Sequence, residues 1–177
     1  MSVALHEPRK VRRVRRKESV ILFTIADQLF AIAASAVHEI RSADSLGGSA
    51  SDLEQTSVAK VKHILQRGNR TYFVVDGGAH FGLRQTRPTL VLILRDSPAA
   101  VLVDKIERMV EITGLHALPL AFEGEERRWY RGLAYLDDHV LPVVNPAGFL
   151  ERDEVLALER AAEAALAAQP AMQGTAS

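Results

Sequence analysis

The sequence predicts an all-β fold closed by one C-terminal helix. Short runs dense in Val, Ile, Leu and Phe recur along the chain, and polar or glycine-containing breaks separate them, which is the pattern of successive hairpins. No long amphipathic helix lies between those runs, which argues for small β-barrels or a sandwich and against a parallel α/β sheet. Only the stretch from Glu151 to Ala168 carries a helical period.

Taken in order, residues 1–18 read as an exposed arm. They are rich in charge and lack a continued apolar period, so they have little to bury against the cost of ordering. Arg9, Lys10, Arg12, Arg13, Arg15, Arg16 and Lys17 lie here beside Glu7 and Glu18. The whole chain has 22 basic and 22 acidic residues, and setting these seven and two aside leaves 15 against 20, a body of net −5. Arg12, Arg13, Arg15 and Arg16 therefore form a candidate polyanion-binding arm; the same segment can also fold back on the acidic body or stay solvated.

Val20–Ile25 and Leu29–Ile32, separated by Ala26-Asp27-Gln28, predict a first hairpin. In Val37-His38-Glu39-Ile40, apolar and charged residues share faces under strand periodicity, as at a sheet edge or lobe boundary. Residues 41–57 are rich in Ser, Asp and Gly and read as a long loop. Val58, Val61, Ile64 and Leu65 fit either a helical turn or an irregular strand. Arg67-Gly68-Asn69 is a turn, and Thr71–Val75 a strand ending at Asp76-Gly77-Gly78. Arg67 beside Gly68 is either a solvated cation or a guanidinium offered to a partner carboxylate.

Leu90–Leu94 and Ala99–Val103, joined by Arg95-Asp96-Ser97-Pro98, predict a core hairpin. It runs on into a half-buried strand in which Ile106, Val110 and Ile112 mostly alternate with charge. Residues 115–126 are a connector with Pro119 and three acids; Trp129–Leu136 and Val140–Asn145 are strands about the turn Asp137-Asp138. The final helix shows a narrow stripe of Val155, Leu158, Ala162 and Ala165, suited to packing on the body, and Pro170 stops it. Residues 169–177 read as a flexible tail.

A chain of 177 residues, 47% of them hydrophobic, can bury a sizeable core. No segment approaches the roughly 18–20 apolar residues of a membrane-spanning helix, so no membrane insertion is expected. The absence of Cys removes disulfides and thiolate metal sites and agrees with a cytoplasmic protein.

Catalytic and cofactor motifs are not found. The six histidines, His6, His38, His63, His80, His116 and His139, lack HExxH or HxH spacing, and there is no GxSxG elbow, phosphate loop or GxGxxG. Asp76, Asp104 and Asp137-Asp138 fall at predicted strand ends, where Asp stabilises turns. No catalytic residue, metal or cofactor is expected, and the chain is not expected to be an enzyme.

Two resemblances remain. Arginine pairs before a β-rich body are loosely similar to PilZ domains, in which such a motif binds cyclic di-GMP ahead of a D/N-x-S-x-x-G motif; here Asp44-Ser45-Leu46-Gly47-Gly48 sets Ser and Gly at other offsets. That supplies an alternative, a ligand sensor or polyanion-binding barrel. Over residues 20–150 the order of elements resembles the CheW-like domain of bacterial chemotaxis. The resemblance is carried by Leu22–Ile25 with Phe30–Ile32, Val37–Ile40, Arg67-Gly68 before Val74-Val75-Asp76, Leu90–Leu94, Leu102–Ile106, Gly132-Leu133-Ala134 and Leu141–Asn145 ahead of Phe149-Leu150. It implies two five-stranded SH3-like β-barrels sharing a hydrophobic core, over 19–150, with lobes at about 19–85 and 86–150. It also implies a non-enzymatic adaptor between the cytosolic tip of a chemoreceptor and the regulatory domain of a CheA-type histidine kinase, with nucleic acid not an expected partner. The family's V-x-E-I segment falls on Val37, Glu39 and Ile40, and its R-G turn on Arg67 and Gly68, which makes these the expected partner-binding residues. Departures cluster in the first half: Ala26-Asp27 replaces a turn glycine, residues 41–57 lack prolines, Lys62–Gln66 replaces a glycine-asparagine context, and Phe73 stands where proline is common.

Overall fold

The computed structural model describes residues 17–48, 50–53, 56–84 and 87–168. Along the chain run strands β1 (Glu18–Ile25), β2 (Gln28–Ala33), β3 (Val37–Ser42), β4 (Ala50–Asp52), β5 (Val61–Arg67) and β6 (Arg70–Asp76), followed by the short helix α1 (Gly77–Phe81). Then come β7 (Leu90–Leu94), β8 (Ala99–Val103), β9 (Lys105–Ile112), the helical turn α2 (Glu126–Trp129), β10 (Tyr130–Leu136), β11 (His139–Val144) and helix α3 (Arg152–Ala168). The strands form a five-stranded sheet, β10-β11-β2-β1-β9, and a six-stranded sheet, β3-β7-β8-β6-β5-β4. The all-β class with a C-terminal helix is therefore as the sequence predicts; the sixth strand is the three-residue β4.

The lobes are not the consecutive halves at 19–85 and 86–150. β1 and β2 make only a hairpin, and they are completed by strands from the far end of the chain. β9 pairs antiparallel along β1 from Glu18↔Ile112 to Thr24↔Lys105 with one bulge, and β11 joins β2 in parallel at Val143↔Ala31. The segment from Val37 to Val103 is thus a lobe inserted between the two parts of the other. The physical reason is continuity: β8 runs into β9 through Asp104 alone, and that single residue carries the chain from one sheet to the other.

Alternation explains why the apolar runs are continuous. Val20 and Leu22 point into the five-stranded lobe with Ala31, Ala134, Leu141 and Val143, whereas Ile21, Phe23 and Ile25 point into a core shared by both sheets. β6 and β7 divide likewise. Phe73, Val75, Leu92 and Leu94 enter the shared core, and Tyr72, Val74, Val91 and Ile93 fill the six-stranded lobe. A strand buried on both faces needs apolar side chains at every position. Phe23, Phe73 and Phe149 are each fully or almost fully buried, contributing on the order of 1.5–3 kcal/mol apiece by removal from water.

Several local expectations are refined. Residues 41–57 are not loop throughout, because Ala43–Gly48 forms a 3-10 helix and β4 pairs with β5; Leu46 is buried in the six-stranded lobe and anchors the excursion. The ambiguous stretch after Val58 becomes β5, with a bulge between Val61 and His63 that breaks its period. Trp129 closes α2 instead of opening the strand. α3 packs Leu158 and Ala162 on the shared core, and the Glu154 carboxylate accepts the Glu151 backbone N–H at 2.8 Å, a capping-box contact.

Candidate partner-docking face

The expected contact residues come from two strands that are distant in the sheet. β3 is an edge strand, hydrogen-bonded to β7 on one side only. A bulge between Val37 and Glu39 displaces His38 from the register, which pairs Val37 with Leu94 and Glu39 with Ile93. Val37 is 8% exposed and belongs to the shared core, whereas Ile40 is 41% exposed. Of the expected segment, Val37 thus holds the strand down while Ile40 faces outward.

Arg67 ends β5, and Gly68 begins the two-residue turn that pairs Arg67 with Arg70. Gly68 adopts φ +57°, where L side chains are disfavoured, and its open surroundings leave conformation as the reason for glycine. The hairpin brings Arg67 to β3: its Nη2 donates to Glu39 Oε2 at 2.6 Å, and Arg41 Nε lies 3.5 Å from Glu39 Oε1. One carboxylate is held between two guanidinium groups. Both partners of the shorter pair remain partly exposed, so its worth to folding is about 0–1 kcal/mol and its effect is mainly to fix where the charges stand. Next to it a cleft of about 260 Å³ is lined by His38, Arg67, Gly68, Arg70, Tyr72 and Ile93, with the Arg70 guanidinium 5.6 Å from the Tyr72 ring centre.

The structure brings Glu39, Arg67 and Gly68 together, with Ile40 on the same edge strand. Arg12, Arg13, Arg15 and Arg16 lie outside the described residues. Arg41, Arg70 and Tyr72 were not singled out by sequence reasoning, although the two-residue turn after Arg67 makes Arg70 its direct cross-strand neighbour.

The aspartates act as turn-formers. Asp76 caps α1 by accepting the Ala79 N–H at 2.9 Å, and Asp104 accepts the Ala26 N–H at 2.6 Å. Asp137 and Asp138 occupy a positive-φ turn, with Asp137 paired to Arg108 at 3.2 Å. Among the described residues no group of three His, Asp or Glu side chains is placed to hold a metal ion. A second opening, of about 360 Å³, lies at the five-stranded lobe, where Leu22, Leu29, Leu136 and Leu141 meet Glu107 and Arg108. His80, also missed as a special residue, is 4% exposed and packed among Phe81, Trp129 and Phe149, with ring centres 4.7, 4.9 and 5.0 Å away. Burial, and secondarily the Lys60 charge, lowers its pKa from 6.5 to about 3.

Among the described residues no helix is long and apolar enough to cross a membrane. No curated protein matches the chain. The fold is similar to that of the scaffolding protein TtCheW from Thermoanaerobacter tengcongensis, with a TM-score of 0.62 and 17% identity over 73% of this chain and 90% of that one. The family model of the CheW-like domain matches residues 19–154, most of the sequence. With the two-lobed β architecture and its shared core, that match places the chain in the CheW-like domain family, the scaffold and adaptor proteins of chemotaxis.

Proposed function

We propose that this chain is a non-enzymatic, cytoplasmic adaptor that couples the tip of a chemoreceptor to the regulatory domain of a CheA-type histidine kinase. The observation that carries the reading is the meeting of Glu39, Ile40, Arg67 and Gly68 at one sheet edge, since these are the positions at which the family resemblance expects partner contact. An edge strand offers unpaired backbone groups to a partner, Ile40 offers apolar area, and the Glu39–Arg67 pair fixes a charge pattern that sets register.

Titration of the purified chain against a kinase regulatory domain and a receptor tip from the same source tests the proposal. Saturable binding to both is expected. Failure to bind either, with the protein folded by circular dichroism, overturns it.

A further inference from the structure

A groove of about 740 Å³ lies away from the docking face, between the residues before β5, α1, α2 and the first turns of α3. Its polar and aromatic lining includes Lys60, His80, Glu125, Trp129, Asp153 and Glu154. Lys60 Nζ is matched to Glu154 Oε1 at 2.9 Å, but Glu125 and Asp153 are exposed and have no ion pair among the described residues. The groove therefore presents unbalanced negative charge. Trp129, the single tryptophan of the chain, is half-buried, with its ring against His80. His80 lines the groove too, and its buried Nε2 has no hydrogen-bond partner, a cost of about 1–3 kcal/mol unless a donor or acceptor reaches it.

We infer that this groove is the seat of the chain's own arginine-rich segment, residues 9–16. Guanidinium–carboxylate pairs form with Glu125 and Asp153, and one guanidinium stacks on Trp129. The chemistry is complementary: the segment holds Arg9, Lys10, Arg12, Arg13, Arg15 and Arg16, and the body carries net −5 once the basic arm and its two glutamates are set aside from the 22 residues of each sign. Arginine is suited to both contacts, since its planar cation binds carboxylates through two parallel hydrogen bonds and lies flat on an indole.

The path is short. Glu18, the first residue of β1, is paired through Oε1 with Arg131 Nη1 at 2.7 Å. Arg131 stands only two positions past Trp129 in sequence, so the chain enters β1 beside the strand that leaves the groove. Eight residues span up to roughly 25 Å when extended, ample for that distance. In this arrangement the arm is self-docked and is set free by an acidic or anionic competitor.

The test uses the full chain and its single tryptophan. Acrylamide, a neutral quencher, reports access to Trp129 in the native protein, in Arg12→Gln/Arg13→Gln/Arg15→Gln/Arg16→Gln, in Glu125→Lys/Asp153→Lys and in the milder Glu125→Gln/Asp153→Asn. Circular dichroism confirms that each is folded. A quenching constant about twofold higher in all three variants, matched in the native chain by raising salt from low to high, is the expected result. Quenching that is unchanged by neutralising the arginines overturns the inference. A response to the arginine changes but to neither carboxylate variant overturns the seat at Glu125 and Asp153.

Discussion

Glu39 and Arg67 stand 28 positions apart, and their side chains meet at 2.6 Å where the end of β5 approaches the edge strand β3. Because both are partly exposed, breaking the pair removes about 0–1 kcal/mol from folding. A partner that reads this charge pattern loses much more. Arg67→Glu and Glu39→Arg are each expected to weaken docking at least tenfold, about 1.4 kcal/mol, with little change in thermal midpoint. The exchange Glu39→Arg/Arg67→Glu rebuilds the internal pair with its signs reversed. Calorimetric titration should find it still weak; native affinity in the exchanged protein would mean that the pair serves only the fold.

The legible and illegible parts of the molecule separate on physical grounds. Hairpins were readable because β1, β2, β7 and β8 are apolar at almost every position and their breaks are polar. Lobe membership was not, because no local signal in Lys105–Ile112 says that it pairs with β1, nearly the whole chain earlier. Glu39 and Arg67 were named from family motifs, yet their contact depends on the curvature of the six-stranded lobe, and Val37 turned out to be core. His80 carries no sequence signal at all. Its character comes from the aromatic rings that the fold packs around it.

Gly77 is where β6 turns into α1, and there the limit is space. A Cβ on Gly77 would lie 2.4 Å from the Leu102 carbonyl oxygen and 2.7 Å from Ile25 Cδ1, and the first of these is backbone in the centre of a sheet. Gly77→Ala is expected to cost about 2–4 kcal/mol by overpacking, read as a lower urea midpoint at unchanged slope. A loss under about 0.5 kcal/mol would show that β6 and β8 separate easily at this point.

The β1–β2 turn stores a different cost. Ala26 and Asp27 both adopt positive φ, 49° and 63°, in the turn where Ile25 pairs with Gln28, and an L-residue other than glycine, Asn or Asp is disfavoured there by about 1–2 kcal/mol. Asp104 offsets part of this by accepting the Ala26 N–H at 2.6 Å from the junction between the lobes. Ala26→Gly is expected to stabilise by about 0.5–1 kcal/mol, and Asp104→Ala to destabilise by about 1–3 kcal/mol because a part-buried N–H loses its acceptor. Chemical denaturation of the two single variants and the double variant measures both, with the Asp104 loss smaller in the Ala26→Gly background if the carboxylate acts through this turn.

His80 makes stability depend on pH in a direction that follows from its burial. Its native pKa, about 3, lies below the ordinary value of 6.5, so the unfolded chain binds a proton that the native chain refuses as pH falls below about 6.5. Stability is therefore complete above that pH and declines between about 6.5 and 3, at up to about 1.4 kcal/mol per pH unit, or about 2–3 kcal/mol by pH 4.5. His80→Phe removes the proton site, keeps an aromatic ring among Phe81, Trp129 and Phe149, and leaves no unpartnered Nε2. It is expected to be at least as stable as the native chain at pH 7 and to lose about 2 kcal/mol less on going to pH 4.5. Urea titrations at the two pH values decide the point, and equal losses in both proteins would assign the acid sensitivity to other groups.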